Sequence, residues 1–183
     1  NSADEFDAYV KKENIQLTQT IEPSIFNTDS FLTGKLPSLI EYAAFCGSFQ
    51  IFNYLYVNHV HITESAWIYA IHGGNIDIIH LLETCKIKPI GNSFLECLIE
   101  SIKAHENEMT SYILKNLMHK EEIPSEISMQ TLKYFNFELI DRKIIDKSIF
   151  YDLCEYGYYI LVKILLDSGE VDVNLKKISE LFF

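Results

Sequence analysis

Residues 42–55 and 69–82 of this chain can be written one above the other at an offset of 27, and no other feature constrains the fold as much. The first stretch is Tyr42-Ala43-Ala44-Phe45-Cys46-Gly47-Ser48-Phe49-Gln50-Ile51-Phe52-Asn53-Tyr54-Leu55, and the second is Tyr69-Ala70-Ile71-His72-Gly73-Gly74-Asn75-Ile76-Asp77-Ile78-Ile79-His80-Leu81-Leu82. Each reads as a helix with small residues, a Gly-plus-polar turn, and a second helix with aliphatic spacing. Further copies, increasingly degenerate, run over residues 101–114 and 131–140, and a clear fifth copy covers 153–166. The turn residues in this alignment are Ser48, Asn75, Asn107, Asn136 and Tyr158, spaced 27, 32, 29 and 22 apart. A period near 30 is the mark of stacked helix pairs, because one pair cannot bury its apolar face alone.

Local chemistry supports each part of the unit. Gly47, Gly74 and Gly157 fall where the first helix ends and the chain reverses, which favours the left-handed backbone that Gly tolerates. Ser48 and Asn75 are placed to cap the second helix. Ile51, Phe52, Tyr54 and Leu55, like Ile78, Ile79, Leu81 and Leu82, follow the i, i+3, i+4, i+7 pattern of a buried face. The pair Ala43-Ala44, echoed by Ala70, lets first helices lie close together. With 7 Gly and 4 Pro, the chain has too little punctuation for an all-β fold. We expect an all-α stack of about five units with little or no β.

The fifth copy carries a resemblance. Residues 155–169, with the Gly157 turn, Val162-Lys163-Ile164-Leu165-Leu166 and Gly169, then Val171-Asp172-Val173-Asn174, closely resemble an ankyrin repeat. Ser38-Leu39-Ile40-Glu41-Tyr42-Ala43-Ala44, Tyr69-Ala70-Ile71-His72-Gly73-Gly74-Asn75 and Ile102-Lys103-Ala104-His105-Glu106-Asn107 resemble a divergent ankyrin-like family of uncharacterised function, abundant in parasitic protists such as trichomonads. The resemblance spans residues 37–175. It implies an ankyrin-like helix-turn-helix solenoid that binds a protein partner through a concave face of first helices and loops, without catalysis. The contact positions it implies are Glu41, Phe45, Ile68, His72, Lys103, Tyr151 and Glu155. The Thr-Pro-Leu-His opening of the family is missing throughout, with Ser65-Ala66-Trp67-Ile68 in its place in the second unit, so the hydrogen bond between that Thr and His is not carried over. The segments between units, such as Lys86-Ile87-Lys88-Pro89, look short for hairpin fingers.

Both ends look cut. Phe6-Asp7-Ala8-Tyr9-Val10 reads as the second helix of an unfinished unit in a partial repeat and connection over residues 1–36. Residues 176–183 read as a truncated segment ending in Leu181-Phe182-Phe183, an apolar tail that a capped stack would avoid. The missing Met at position 1 leads us to expect an upstream region. Weak self-association through these ends follows, as does an alternative function: a structural spacer or oligomerisation segment in a longer ankyrin-repeat protein.

Charge and composition narrow the rest. Fifteen Lys and Arg against 26 Asp and Glu give a net charge of −11, which argues against nucleic acid as a partner. Lys115 to Lys120 is followed at once by Glu121-Glu122, so it reads as a solvated helix end. No apolar run reaches the roughly 18 residues a membrane span needs. The four cysteines, Cys46, Cys85, Cys97 and Cys154, include no CxxC pair, which points to reduced thiols in a cytoplasmic protein. No phosphate-binding glycine motif occurs, and Gly91-Asn92-Ser93-Phe94-Leu95 lacks the final Gly of a nucleophile elbow. His59-Val60-His61 puts two imidazoles on one side of an extended segment, with no third metal ligand in register. His72 and His80 lie on the two helices of one unit, and the resemblance implies that the first faces the concave side and the second solvent. Trp67, Tyr69 and the Tyr156-Tyr158-Tyr159 cluster sit at helical spacing and read as core before they read as binding anchors. We therefore expect no cofactor, no metal and no catalytic residue.

Overall fold

The computed structural model describes residues 2–24, 28–119, 127–139 and 150–169. These residues are mostly helical and contain no strand; Thr20 and Ser38 form one isolated antiparallel bridge. The chain divides into two compact units, Asn1–Met118 and His119–Phe183.

The first unit opens with α1 (Ala3–Glu13), followed by three helix pairs: α2 (Leu39–Phe45) with α3 (Phe49–Val57), α4 (Ala66–His72) with α5 (Ile76–Thr84), and α6 (Leu95–Lys103) with α7 (Asn107–Tyr112). Helix α7 continues as a π-helical turn, Ile113–Leu117. The first helices pack in the order α2, α4, α6, while α3 packs against α1 and α5. The Ser2 hydroxyl caps α1 by accepting from the Glu5 N–H at 3.3 Å, and Ser38 and Glu41 form a reciprocal capping box on α2.

One turn recurs between the helices of a pair. In the first pair Gly47 takes φ +60°, its N–H donates to Ala44 O, and the Ser48 N–H reaches Ala43 O at 2.9 Å. Gly74 is likewise left-handed at +63°. In the third pair, however, the left-handed residue is His105 at +60°, and the Glu106 N–H donates to Ser101 O at 2.9 Å. The turn residue of that unit is therefore Glu106; Asn107 is already the first residue of α7. This corrects the register by one. Without a Gly to mark the reversal, sequence spacing could not locate it. The Ser48 side chain makes no capping bond, whereas Asn75 accepts from the N–H groups of Asp77 and Ile78 and also donates to Gly47 O of the preceding turn at 2.9 Å.

Aligned on these turns, the core repeats from pair to pair. Ile40, Trp67 and Leu98 occupy one buried position; Ala43, Ala70 and Ser101 another; Phe52, Ile79 and Thr110 a third; and Leu55, Leu82 and Ile113 a fourth. Burial of each large apolar member stabilises the fold by about 1.5–3 kcal/mol. Trp67 and Tyr69 are core residues, and Trp67 Nε1 donates to Ile87 O at 2.8 Å. His59 does not continue an extended segment: it is left-handed at φ +62° and closes α3, with the Val60 N–H bonded to Leu55 O. Lys86 at +57° closes α5 in the same way.

The second unit contains α8 (Ile127–Lys133), a 3-10 turn (Phe137–Leu139), α9 (Phe150–Glu155) and α10 (Tyr159–Ser168). Helix α8 packs on α9, and α9 on α10. The turn recurs at Phe135 (φ +59°) and at Gly157 (+72°), each with the following N–H bonded back into the helix, at 2.9 and 2.8 Å. Leu132, Phe150, Leu153 and Leu165 form its core. Glu121-Glu122, the Val171-Asp172-Val173-Asn174 stretch and the apolar tail of residues 176–183 lie outside the described residues.

Among the described residues no helix is long and apolar enough to cross a membrane, and no group of three or more His, Cys, Asp and Glu could hold a metal ion. All four cysteines are unpaired.

Candidate interaction face of the first helices

With the turns aligned, Phe45, His72 and Lys103 share one position on α2, α4 and α6, and Tyr42, Tyr69 and Glu100 share another one turn earlier. Two of the expected contact residues are brought together: the rings of Phe45 and His72 stack at 5.1 Å with an interplanar angle of 15°. Both are partly exposed, and a third ring covers part of them. Phe31, from the segment expected to be a plain connection, lies over them, only 3% exposed. Its ring is parallel to His72 at 4.4 Å and to Phe45 at 5.7 Å, and meets Tyr69 edge-on at 5.1 Å. The Lys35 ammonium caps the other side of the Phe31 ring at 3.2 Å, a cation–π contact.

Charge surrounds this aromatic cluster. His72 Nδ1 is 2.8 Å from Glu100 Oε1, and Nε2 is 3.6 Å from Asp29 Oδ2. Glu100 is only 6% exposed, and Lys103 Nζ approaches its other oxygen at 3.5 Å. Burial pushes the Lys35 ammonium below its usual range, with Glu100 and Asp29 pulling it back up and Lys103 adding to the depression. Both ring nitrogens of His72 thus face carboxylates. A ring held this way joins α4 to α6 and to the segment around Asp29.

The other expected contact residues are placed differently. Glu41 is tied up by its own chain. Its carboxylate accepts from the Ser38 N–H and hydroxyl at 2.8 and 2.7 Å, from Thr63 Oγ1 at 2.8 Å, and from Ser65 Oγ. Burial alone would raise this carboxyl, but the hydroxyls of Ser65, Ser38 and Thr63 with the Ser38 N–H outweigh it and hold it below its ordinary range. Glu41 therefore fastens the start of α2 to the start of α4. Ile68 is partly exposed, and Lys103 is the most open of the set in the first unit. Tyr151 and Glu155 belong to the second unit, where Tyr151 is partly exposed and Glu155 exposed.

His80 sits on the second-helix side, where its Nδ1 is 3.0 Å from Glu83, and Tyr112 donates to the same carboxylate at 2.8 Å, linking α5 to α7. Burial, helped by Glu83, pushes the Tyr112 hydroxyl up to about 12. Burial also pushes the Cys97 thiol up to about 12, so it is an inert core group.

Sequence spacing missed Asp29, Phe31 and Lys35 because their partners lie on helices far along the chain. The one local sign was Asp29 before Ser30-Phe31, an arrangement that favours a tight turn: Asp29 Oδ1 accepts from the Phe31 N–H at 2.8 Å. Glu100 was missed because a lone acid in a helix normally reads as solvent-facing. Compared with family models, with curated proteins and with solved structures, the chain finds no match.

Proposed function

We propose that the chain is a non-catalytic, cytoplasmic protein-interaction module, an ankyrin-like solenoid that holds a protein partner on the face of its first helices. The observation that carries this reading is the alignment of α2, α4 and α6, which repeats the same two side-chain positions from helix to helix and makes one continuous aromatic and charged face. Recurrence of one turn at Gly47, Gly74, His105, Phe135 and Gly157 supports a repeat architecture across both units. Such stacks bind by shape and surface chemistry.

The test compares capture of a native partner by the unaltered chain, by the face variant Ile68→Ala/Lys103→Ala, and by His80→Ala on the opposite side. A partner retained by His80→Ala and depleted at least tenfold by the face variant supports the reading. Equal capture by all three chains, or no protein captured, refutes it.

A further inference from the structure

The segment that covers the first helices is held the way a bound peptide is held. Its hydrogen bonds, among the described residues, are internal: Leu32 N–H to Asp29 O at 3.1 Å, Thr33 N–H to Ser30 O at 3.3 Å, Lys35 N–H to Leu32 O at 3.0 Å, and Phe31 N–H to the Asp29 carboxylate. A short 3-10 turn, Ser30–Leu32, gives it a shape of its own. What touches α2 and α4 is a set of side chains. Phe31 fills the slot between Phe45, Tyr69 and His72, and Asp29 faces His72 Nε2. Lys35 lies over the rings of Phe31 and Tyr69, at 3.2 and 5.6 Å.

The base of this loop is fastened separately. Ile21 N–H donates to Pro37 O at 2.7 Å, Leu39 N–H donates to Gln19 O at 3.2 Å, and Thr20 bridges Ser38. Leu32 turns toward that base and lines a small cavity with Ile21 and Pro37. The base and the aromatic tip are thus held by different contacts, backbone hydrogen bonds at the one and the Phe31 and Asp29 side chains at the other.

We propose that residues 29–35 are a resident ligand of this face, and that the face accepts in their place a partner peptide of the same pattern: an aromatic residue with a carboxylate two positions before it and an ammonium four positions after it. This rests on the reading of the first helices as a binding face. The aromatic ring fills the slot between three other rings, and rigid aromatic anchors in a slot dominate peptide binding. The carboxylate meets the free side of His72, and the ammonium covers the outer ring face as Lys35 does. The resident segment competes at the high effective concentration of a tethered ligand, so the partner has to displace it.

The test uses the full chain and a fluorescent synthetic peptide of residues 28–36. Phe31→Ala empties the ring slot and leaves its walls intact. That variant is expected to bind the peptide saturably and at least tenfold more tightly than the unaltered chain, and a peptide carrying Ala in place of Phe is expected not to bind. If Phe31→Ala loses its helical circular dichroism, Asp29→Ala takes its place, since it keeps the ring and weakens only the clasp. Peptide binding by the folded variant no tighter than by the unaltered chain overturns the proposal, and the loop is then an integral part of the fold. That outcome leaves the capture comparison of the Ile68/Lys103 variant standing; conversely, peptide binding without partner capture would make the face an intramolecular clasp only.

Discussion

Helices α5 and α10 occupy the same place in their pairs, follow the same left-handed glycine turn, and bury very different fractions of their surface. In α5 the side chains of Ile78, Ile79 and Leu82 are fully buried. In α10 only Leu165 is buried, while Tyr159 is 74% and Ile160 71% exposed and Ile164 also faces outward. Yet α10 lies in the copy for which the sequence led us to expect an ankyrin-like repeat most clearly. The difference lies in the neighbours: α4, partner of α5, packs closely against first helices on both sides, whereas α9, partner of α10, packs closely against α8. A repeat motif specifies the shape of a pair, and burial comes from what is stacked against it.

Gly73 offers the sharpest way to break this comparison. A Cβ there would lie 2.2 Å from Ala44 O and 2.7 Å from Phe45 O, both backbone atoms of the preceding pair. Gly73→Ala is expected to destabilise the chain by about 3 kcal/mol, since a packed backbone yields little. The equivalent position beside α10 holds Tyr156, which packs against the core of the second unit, so Tyr156→Ala is expected to cost less. Urea midpoints measure both. Similar losses at the two sites would mean that the pairs are equally constrained.

A second comparison sets Ile79→Ala against Val162→Ala at matching positions. Fully buried Ile79 is expected to cost about 3 kcal/mol and half-buried Val162 about 1. An equal cost would show that α10 is as firmly packed as α5.

The turns themselves should differ less. Gly74→Val combines a left-handed backbone with a Cβ that would meet the Glu106 carboxylate at 2.7 Å; Gly157→Val has the same backbone with open space around it. We expect about 2 and about 1 kcal/mol respectively. An unchanged midpoint for Gly74→Val would show that the turn carries no strain.

The smallest effect is on pH. Glu41 is held below its ordinary value of 4.5 in the folded chain, so it binds its proton less readily there than when unfolded. Its contribution is fully present above about pH 4.5 and is lost as the pH falls through the lower folded value. The stability advantage of the unaltered chain over Glu41→Gln is thus expected to be clear at about pH 6 and to shrink by about pH 3. A gap of constant size between the two would mean that the carboxylate is not what joins α2 to α4.

Local chemistry alone determined a good deal here. Helices over residues 42–55 and 69–82, the reversals at Gly47, Gly74 and Gly157, the Asn75 cap and the apolar rows of α3 and α5 were all legible, because each depends on residues within about one helical turn of one another. The tertiary structure alone decided what the first helices face. It pressed Gly73 against the end of α2, buried Glu100 beneath His72, and laid Phe31 over rings of two helices. Those outcomes come from packing between residues some 14 to 41 positions apart, as with Phe31 against Phe45 and His72. Spacing along a sequence can report which side of a helix is apolar. It cannot report which distant segment arrives to cover that side, because the contact is chosen by shape and charge that exist only once the helices have stacked.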